Sequence, residues 1–193
     1  KTADINILMG LPGSGKSYWA SHYSVSQKRP KVVDMDNHID RKTNQYESVA
    51  KICNHYRLDH YVRDGWSLVF DGLFTTNKCV AEFIEQLINY FNNSVLRHSG
   101  GVILNVYIHY WNENREQCIK NDEWRGREQS AKATIQNIPY EKLDMAYLKN
   151  TLMDKNVYFM DPIIHEVKVL DTYDKYFDPL NNTYQDKCYS DTW

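Results

Sequence analysis

Short apolar runs alternate with segments of helical periodicity along the chain, which is 193 residues long. The apolar runs predict β-strands at residues 5–9, 31–36, 66–71, 102–108 and 166–170. The clearest helix follows the third of these strands, where Thr75 or Thr76 can cap it and apolar residues repeat at helical spacing as far as Phe91. Strands that alternate with helices favour an α/β fold with a parallel sheet covered on both faces.

The segment between the first strand and the helix after it reads GLPGSGKS, which fills every fixed position of the phosphate-binding pattern G-x-x-x-x-G-K-[ST]. Glycines let backbone N–H groups turn inward and cradle phosphate oxygens. Lys16 supplies a cation for the β- and γ-phosphates of a nucleotide, and the Ser17 hydroxyl is a ligand for Mg²⁺. A chance glycine-rich turn is the alternative, which the complete motif and its strand–helix context disfavour. The residues predicted to bind the nucleotide are Gly10, Pro12, Gly13, Ser14, Gly15, Lys16 and Ser17.

Acidic residues follow the second and third predicted strands, and ligands of such sheets bind at the carboxyl ends of the strands. Asp71 ends an apolar run, as the acid near Mg²⁺ does in phosphate-loop NTPases; the alternative is a turn formed by Asp71-Gly72. Asp34 and Asp36 are expected on one side of an alternating strand. One of them would accept the proton of an attacking hydroxyl while the other holds the metal or the acceptor. The alternative for this pair is a helix cap or a solvated loop end.

A charge-rich segment follows the fourth predicted strand, and we expect it to form a helical lid over residues 112–135. Arginines stabilise the charge that phosphoryl transfer spreads over the moving group, and a closing lid excludes water. Arg125 and Arg127 are the first candidates for this role, and Gly126 between them suits a bend. The alternative is a solvated helix, because neighbouring acidic residues offset the positive charges.

The composition limits the classes of protein to which this chain can belong, but it does not indicate a substrate. The formal net charge is −2, so no overall basic field indicates a nucleic-acid partner, although a local basic groove is compatible with it. The 4 cysteines are scattered without a C-x-x-C pair, and no apolar run is long enough to span a membrane. We therefore expect a cytoplasmic protein without a membrane partner, with one domain over residues 1–172 and a C-terminal extension over 173–193.

The loop and the lid segment resemble the polynucleotide-kinase-like branch of the P-loop kinases, especially the 5′-hydroxyl polynucleotide kinases of phage and bacterial repair systems. The similarity covers residues 4–150 and rests on a few short segments, among them the loop with Trp19 and Ala20 after it. The resemblance implies that Asp36, after the second strand, is the general base. The sequence leaves open a further domain beyond residue 193, such as a phosphatase or a ligase domain.

Two departures from the family pattern concern basic residues. The family lid carries arginines around a K/R-N…R-G stretch, which Lys120-Asn121 and Arg125-Gly126 resemble, with Arg127 beyond. Lys120 stands where one arginine of the family is expected. The basic residue that follows the general base and holds the acceptor strand is displaced, because Asn37, His38 and Ile39 intervene. Lys120 is still expected to contact the nucleotide. The residues expected to bind the acceptor are Asp34, Asp36, Arg41 and Lys42.

The resemblance implies a three-layer P-loop NTPase or kinase fold with a central parallel sheet of about five strands in the order 2-3-1-4-5. It implies ATP and Mg²⁺ as cofactors, and transfer of the γ-phosphoryl group to a hydroxyl, foremost the 5′-OH end of DNA or RNA. A polymer would be held by phosphate contacts and base stacking, for which Tyr46 is a candidate, although an ordinary surface role is the expectation for this residue. Two alternatives stay open: a kinase for a nucleoside, an amino-sugar or a hydroxymethylated DNA base, and a nucleotide-binding switch NTPase.

Overall fold

The computed structural model describes residues 2–26, 30–94, 103–126, 128–153 and 163–166. Its strands are β1 (Thr2–Met9), β2 (Pro30–Asp34), β3 (Ile39–Asp40), β4 (Gln45–Tyr46), β5 (Ser67–Phe74), β6 (Ile103–Tyr110) and β7 (Ile163–Glu166). Its helices are α1 (Lys16–Ser26), α2 (Val49–Tyr56), α3 (Leu58–Arg63), α4 (Asn77–Asn92), α5 (Arg115–Arg125), α6 (Lys132–Asn137) and α7 (Met145–Met153). A 3₁₀ turn covers Met35–His38.

A parallel sheet in the order β2-β5-β1-β6-β7 forms the centre of the fold, and all of its neighbouring strands run in the same direction. A separate antiparallel hairpin consists of β3 and β4. Because β1 lies in the middle of the sheet, the loop that follows it lies next to the carboxyl ends of β5 and β6. The predicted α/β class and parallel sheet are confirmed.

Apolar side chains cover both faces of the sheet. Residues of β1 belong to two different apolar clusters, one on each face. Ile5 and Ile7 belong to the main core, which includes residues of α2, α4 and α7. Leu8 belongs to a second cluster with Ala20 of α1 and with Trp111. Burial on both sides explains why β1 ends in the apolar residues Ile7, Leu8 and Met9 without alternation.

The predicted capped helix is α4. Thr76 accepts a hydrogen bond from the backbone N–H of Cys79 at 3.2 Å, which satisfies one of the free donors of the first turn. The apolar positions of the periodic pattern are all buried, and they are Val80, Phe83, Ile84, Leu87, Ile88 and Phe91. Periodicity and capping therefore predicted this element correctly.

Two strands end at other residues than predicted, and each difference concerns a candidate acidic residue. The expectation that Asp34 and Asp36 share one strand face is wrong, because β2 ends at Asp34 and the 3₁₀ turn contains Asp36. The Asp34 carboxylate accepts a hydrogen bond from the N–H of Asp36 and so ends the strand. The alternative of a turn at Asp71-Gly72 is also wrong, because β5 continues to Phe74. The neighbouring strands β1 and β2 pair with Asp71 on both sides and keep it extended.

The last strand lies earlier in the chain than predicted, at Ile163–Glu166, where it pairs with β6. Residues 167–170 of the predicted strand lie outside the described residues, as does the whole of the extension 173–193. Among the helices that the structure describes, none combines the length and the apolar character needed to cross a membrane.

Candidate functional site

A cleft of about 650 Å³ opens at the carboxyl ends of β1 and β5. Its walls come from the predicted phosphate-binding loop over residues 10–17, the end of β5, the β3–β4 hairpin, and helices α5 and α6. Most of the predicted site residues that the structure describes meet in this cleft. They are Pro12, Gly13, Gly15, Lys16, Ser17, Asp36, Asp71 and Arg125.

The phosphate-binding loop has a backbone that glycine allows. Gly13 has a φ of +80° and Gly15 a φ of +104°, in the region that other residues rarely adopt. A Cβ atom at Gly13 would lie 2.5 Å from the backbone oxygen of Cys118 in α5. Glycine is therefore needed at this position for two separate reasons, which are the conformation of the loop and the close approach of α5.

Lys16 folds back over the loop, and its side chain is only 8% exposed. Its ammonium group donates hydrogen bonds to the carbonyl oxygens of Gly10 and Leu11, both at 2.8 Å. An ammonium group has a third N–H, which these two contacts leave for an anion. Burial lowers the pKa of Lys16, and the negative charges of Asp71 and Asp36 act in the opposite direction.

Ser17 and Asp71 form a hydrogen-bonded pair that lines the cleft. The Ser17 hydroxyl donates a hydrogen bond to Oδ2 of Asp71 at 2.6 Å. Burial raises the pKa of Asp71, while the charge of Lys16 and the bond from Ser17 lower it. Mg²⁺ is usually held by one or two protein ligands together with phosphate and water oxygens, and this pair fits such a site. Within the described ranges, no group of three or more His, Cys, Asp and Glu side chains is arranged for a metal ion.

Asp36 enters the cleft from the 3₁₀ turn, and its side chain is exposed. Its Oδ1 atom accepts a hydrogen bond from the Tyr46 hydroxyl at 2.6 Å. The same hydroxyl accepts a hydrogen bond from the backbone N–H of Leu73 at 2.9 Å. Burial, followed by the charge of Asp36, raises the pKa of Tyr46 well above its ordinary value. Tyr46 is thus half-buried and bonded within the site, which corrects the expectation of an ordinary surface residue.

Asp34 caps the 3₁₀ turn and does not line the cleft. Its carboxylate accepts hydrogen bonds from the backbone of Asp36 at 3.0 Å and from the Asn37 amide at 3.3 Å. Burial raises the pKa of Asp34. The cap that the sequence left open as an alternative therefore describes its local role, and an acceptor contact by Asp34 stays a prediction.

The β3–β4 hairpin forms another wall of the cleft, but the basic side chains of the hairpin are not part of that wall. Arg41 and Lys42 are exposed, and neither lines the cleft. The hairpin residues that do line it are Ile39, Asn44, Gln45 and Tyr46. The structure therefore brings an apolar side chain, two amides and a phenol to the place where the sequence predicted basic residues.

Helix α5 and most of α6 lie in the segment that was predicted as a lid. The structure describes one of its two candidate arginines and not the other. Arg125, at the end of α5, lines the cleft, and its charge lowers the pKa of Asp71. Arg127 lies outside the described residues. Gly126 ends α5 with a φ of +62°, so the chain turns where a bend was predicted. Lys120 does not line the cleft, and its ammonium group lies 3.0 Å from Glu116.

Helix α5 is packed against the glycine-rich loop through buried residues, and the sequence did not predict these contacts. The Asn121 amide donates a hydrogen bond to the carbonyl oxygen of Gly13 at 2.8 Å. Cys118 packs with Leu11 of the loop and with Ile135 of α6. Closure of this segment over a substrate stays a prediction, and its packing against the loop is an observed property.

Asp122 was also missed, and it connects α5 to α6. Its carboxylate accepts hydrogen bonds from the Ser130 hydroxyl at 3.0 Å and from the backbone N–H of Ala131 at 2.7 Å. The spacing of Cys118, Asn121 and Asp122 places them on one helix face, which was the available signal. The polar character of Asn121 and Asp122 predicted instead that both side chains are exposed to solvent. An amide and a carboxylate are buried only where partners that are distant in sequence contact them.

No protein-family model matches this chain, and no curated protein sequence is significantly similar to it. The functional assignment therefore depends on the cleft and on the residues that meet in it.

Proposed function

We propose that this chain is an ATP-dependent phosphotransferase that moves the γ-phosphoryl group to a hydroxyl acceptor, with the 5′-OH end of DNA or RNA as the first candidate. One observation carries the proposal: the glycine-rich loop, the Ser17–Asp71 pair and the Asp36 carboxylate line the same cleft. Catalysis of phosphoryl transfer consists mostly of positioning and charge stabilisation, and these groups can supply both. The strand order β2-β5-β1-β6-β7 supports the proposed P-loop kinase fold, for which the resemblance implies the order 2-3-1-4-5.

The nucleotide side of the cleft would be formed by the loop. Backbone N–H groups of the loop and the remaining N–H of Lys16 would bind phosphate oxygens. The Ser14 hydroxyl in the loop is buried without a hydrogen-bond partner among the described residues, which supports a loop that is completed by a ligand. Ser17 and Asp71 would hold Mg²⁺, which supplies positive charge against the phosphate oxygens when it is bound.

The acceptor side of the cleft would contain the general base. Asp36 would take the proton of the acceptor hydroxyl while that oxygen bonds to the γ-phosphorus. The bond between the γ-phosphorus and the β–γ bridging oxygen breaks, and ADP leaves with that electron pair. Arg125 would stabilise the charge on the transferred group, because a guanidinium presents several donors to phosphate oxygens.

A second candidate is a kinase for a small, uncharged acceptor such as a nucleoside. The observation that favours it is the hairpin wall of the cleft, where Ile39, Asn44 and Gln45 stand and where Arg41 and Lys42 do not reach. A polymer with several phosphates normally meets cations near its binding site, whereas apolar and amide groups suit a base or a sugar. The choice between the two candidates therefore concerns the acceptor and not the chemistry.

The test is transfer of radiolabel from [γ-³²P]ATP, with Mg²⁺, to 5′-OH DNA, 5′-OH RNA, nucleosides and sugars. We expect Lys16→Ala to lower kcat by about 10²-fold or more, as the loss of a preorganised donor does, and to weaken ATP binding. Lys78→Ala is the matched control, because Lys78 is exposed and pairs with Glu82 on α4. A well-folded Lys16→Ala protein with normal transfer would show that Lys16 and its loop are not the site of phosphoryl transfer.

Asp36→Asn separates the base from the rest of the site. The amide keeps the shape but cannot accept the proton, so we expect kcat to fall by about 10²–10⁴-fold while ATP binding stays nearly intact. Asp64→Asn is the matched control, because Asp64 is exposed and pairs with Arg63 away from the cleft. Equal losses of rate and of ATP binding would indicate a metal or structural role for Asp36.

The acceptor class is decided by kcat/KM for a short single-stranded 5′-OH oligonucleotide against that for its terminal nucleoside, at low and at moderate salt. A polymer site predicts a higher value for the oligonucleotide and a decrease with salt, because phosphate contacts release counterions. Equal values, or a preference for the nucleoside, would favour the second candidate. ATP hydrolysis without any phosphorylated acceptor would favour a switch NTPase.

A further inference from the structure

One hydroxyl group connects three separate parts of the cleft. Tyr46 belongs to β4 of the hairpin, and its hydroxyl bonds to Asp36 in the 3₁₀ turn and to the backbone of Leu73 in β5. A backbone N–H can only donate, so the phenol oxygen is the acceptor in its contact with Leu73. The single phenolic proton is then directed at Oδ1 of Asp36. The direction of this hydrogen bond follows from the chemistry of the partners.

We propose that Tyr46 is a positioning residue that holds Oδ1 of Asp36 and so presents Oδ2 to the acceptor hydroxyl. The proposal rests on the proposed function, in which Asp36 is the general base. Within the described part of the chain, no group donates a hydrogen bond to Oδ2. The two carboxylate oxygens therefore differ, because Oδ1 accepts the hydrogen bond of the phenol and Oδ2 has no donor among the described residues.

The platform that carries this hydrogen bond is closely packed. Met35, next to Asp36, is buried and lies so near to β5 that a Cβ atom at Gly72 would be 2.8 Å from the Cβ of Met35. The hairpin is joined to the 3₁₀ turn by a backbone hydrogen bond of 2.8 Å from Glu47 to His38. Strand β5, the turn and the hairpin therefore hold the phenol and the carboxylate at a set distance.

Positioning matters here because the Asp36 side chain is exposed. The terminal torsion of an aspartate is broad, so a solvated carboxylate samples many orientations. A charge-assisted hydrogen bond from a half-buried phenol restricts that torsion before the acceptor binds, which lowers the entropic cost of reaching the reactive geometry. The raised pKa of Tyr46 is consistent with this role, because the phenol remains a donor throughout the neutral range.

Kinetics with ATP and a short single-stranded 5′-OH oligonucleotide test the catalytic consequence. We expect Tyr46→Phe to lower kcat about 10–100-fold, the range seen when a group that orients a reactive residue is removed, with KM for ATP within about twofold. In the Asp36→Asn background the same substitution should change kcat by less than about twofold, because the residue it positions is already disabled. A similar loss in both backgrounds overturns the proposal.

A matched control separates this role from the loss of any tyrosine–carboxylate bond. The Tyr90 hydroxyl donates to Oδ1 of Asp59 at 3.3 Å, in a buried pair that does not line the cleft. Tyr90→Phe should leave kcat at the wild-type value, even if its melting temperature falls as much as that of Tyr46→Phe. A loss of kcat in Tyr90→Phe equal to that in Tyr46→Phe overturns the proposal.

A spectroscopic measurement tests the contact without using activity. In protein labelled with [¹³Cζ]tyrosine, the Tyr46 resonance, identified through its contact with Leu73, should move in Asp36→Asn because the charged acceptor is lost. It should stay in place in Asp40→Asn, which removes a neighbouring charge that does not contact the phenol. An unmoved resonance in Asp36→Asn overturns the proposal. A moved resonance in a protein that phosphorylates no acceptor supports the contact and overturns the proposed function.

Discussion

Gly13→Ala tests whether the phosphate-binding loop and helix α5 are packed together. The added Cβ atom would lie 2.5 Å from the backbone oxygen of Cys118, well inside the 3.0 Å below which Cβ contacts essentially never fall. The obstacle is a backbone carbonyl in the middle of a helix, so it cannot rotate away as a side chain would. The substitution must therefore move either the loop or the whole of α5.

The expected cost has two parts. Placing a residue with a Cβ atom at a φ of +80° costs about 1–2 kcal/mol, because the side chain crowds its own carbonyl oxygen. Forcing an extra methyl group into a filled space costs about 1–3 kcal/mol more. We expect the free energy of unfolding to fall by about 2–5 kcal/mol in total, and we expect nucleotide affinity to fall with it because the loop amides are displaced.

Gly65→Ala is the matched control for the first part alone. Gly65 has almost the same backbone conformation, with a φ of +82°, and nothing lies within 4 Å of its Cβ position. This variant should lose only about 1–2 kcal/mol and should bind nucleotide normally. Urea denaturation gives the two free energies of unfolding, and calorimetric titration with a non-hydrolysable ATP analogue gives the affinities.

The difference between the two variants measures the contact between the loop and α5. Equal losses of stability in Gly13→Ala and Gly65→Ala, together with normal nucleotide binding by both, would show that α5 does not press on the loop. The close approach of Cys118 to Gly13 would then be wrong, and so would the packing of the predicted lid described above.

Substitutions at three further residues examine other parts of the site and the core. Arg125→Ala should lower kcat by about 10²–10³-fold with little change in ATP affinity, and Arg125→Lys should restore only part of it because lysine lacks the planar fork; a wild-type kcat for both would exclude the arginine from catalysis. Asn121→Ala leaves the carbonyl oxygen of Gly13 without its amide donor, so the free energy of unfolding should fall by about 1–3 kcal/mol in urea denaturation, and an unchanged value would contradict the bond. Burial lowers the pKa of His109 from 6.5 to about 4. As the pH falls, the imidazole takes up a proton in the unfolded chain before it does so in the folded protein, so the free energy of unfolding decreases between these two pKa values. His109→Gln should therefore lose less stability than the wild type between pH 7 and pH 4.5, by about 2 kcal/mol, and equal losses in urea denaturation would count against the buried neutral imidazole.

Local signals in the chain predicted the glycine-rich loop between β1 and α1, the strands around it and helix α4. The loop could be predicted because glycine, lysine and serine act there through the backbone and over short distances, so their order in the sequence is their order in space. The helix could be predicted because the periodicity of its buried face, as far as Phe91, repeats within one element. The apolar run before Asp71 also predicted a strand, although β5 continues past Asp71 to Phe74.

Only the tertiary structure decided how the 3₁₀ turn and the β3–β4 hairpin form their side of the cleft. The placement of Asp36 depends on the cap by Asp34 and on the contact with Tyr46, which comes from a hairpin with no strong pattern of its own. The burial of Asn121 depends on Gly13, which is 108 residues away along the chain. Polar side chains of this kind have no periodicity that reveals them, because their burial is stable only when a distant partner satisfies their hydrogen bonds. That partnership exists only after the sheet, the hairpin and α5 have come together.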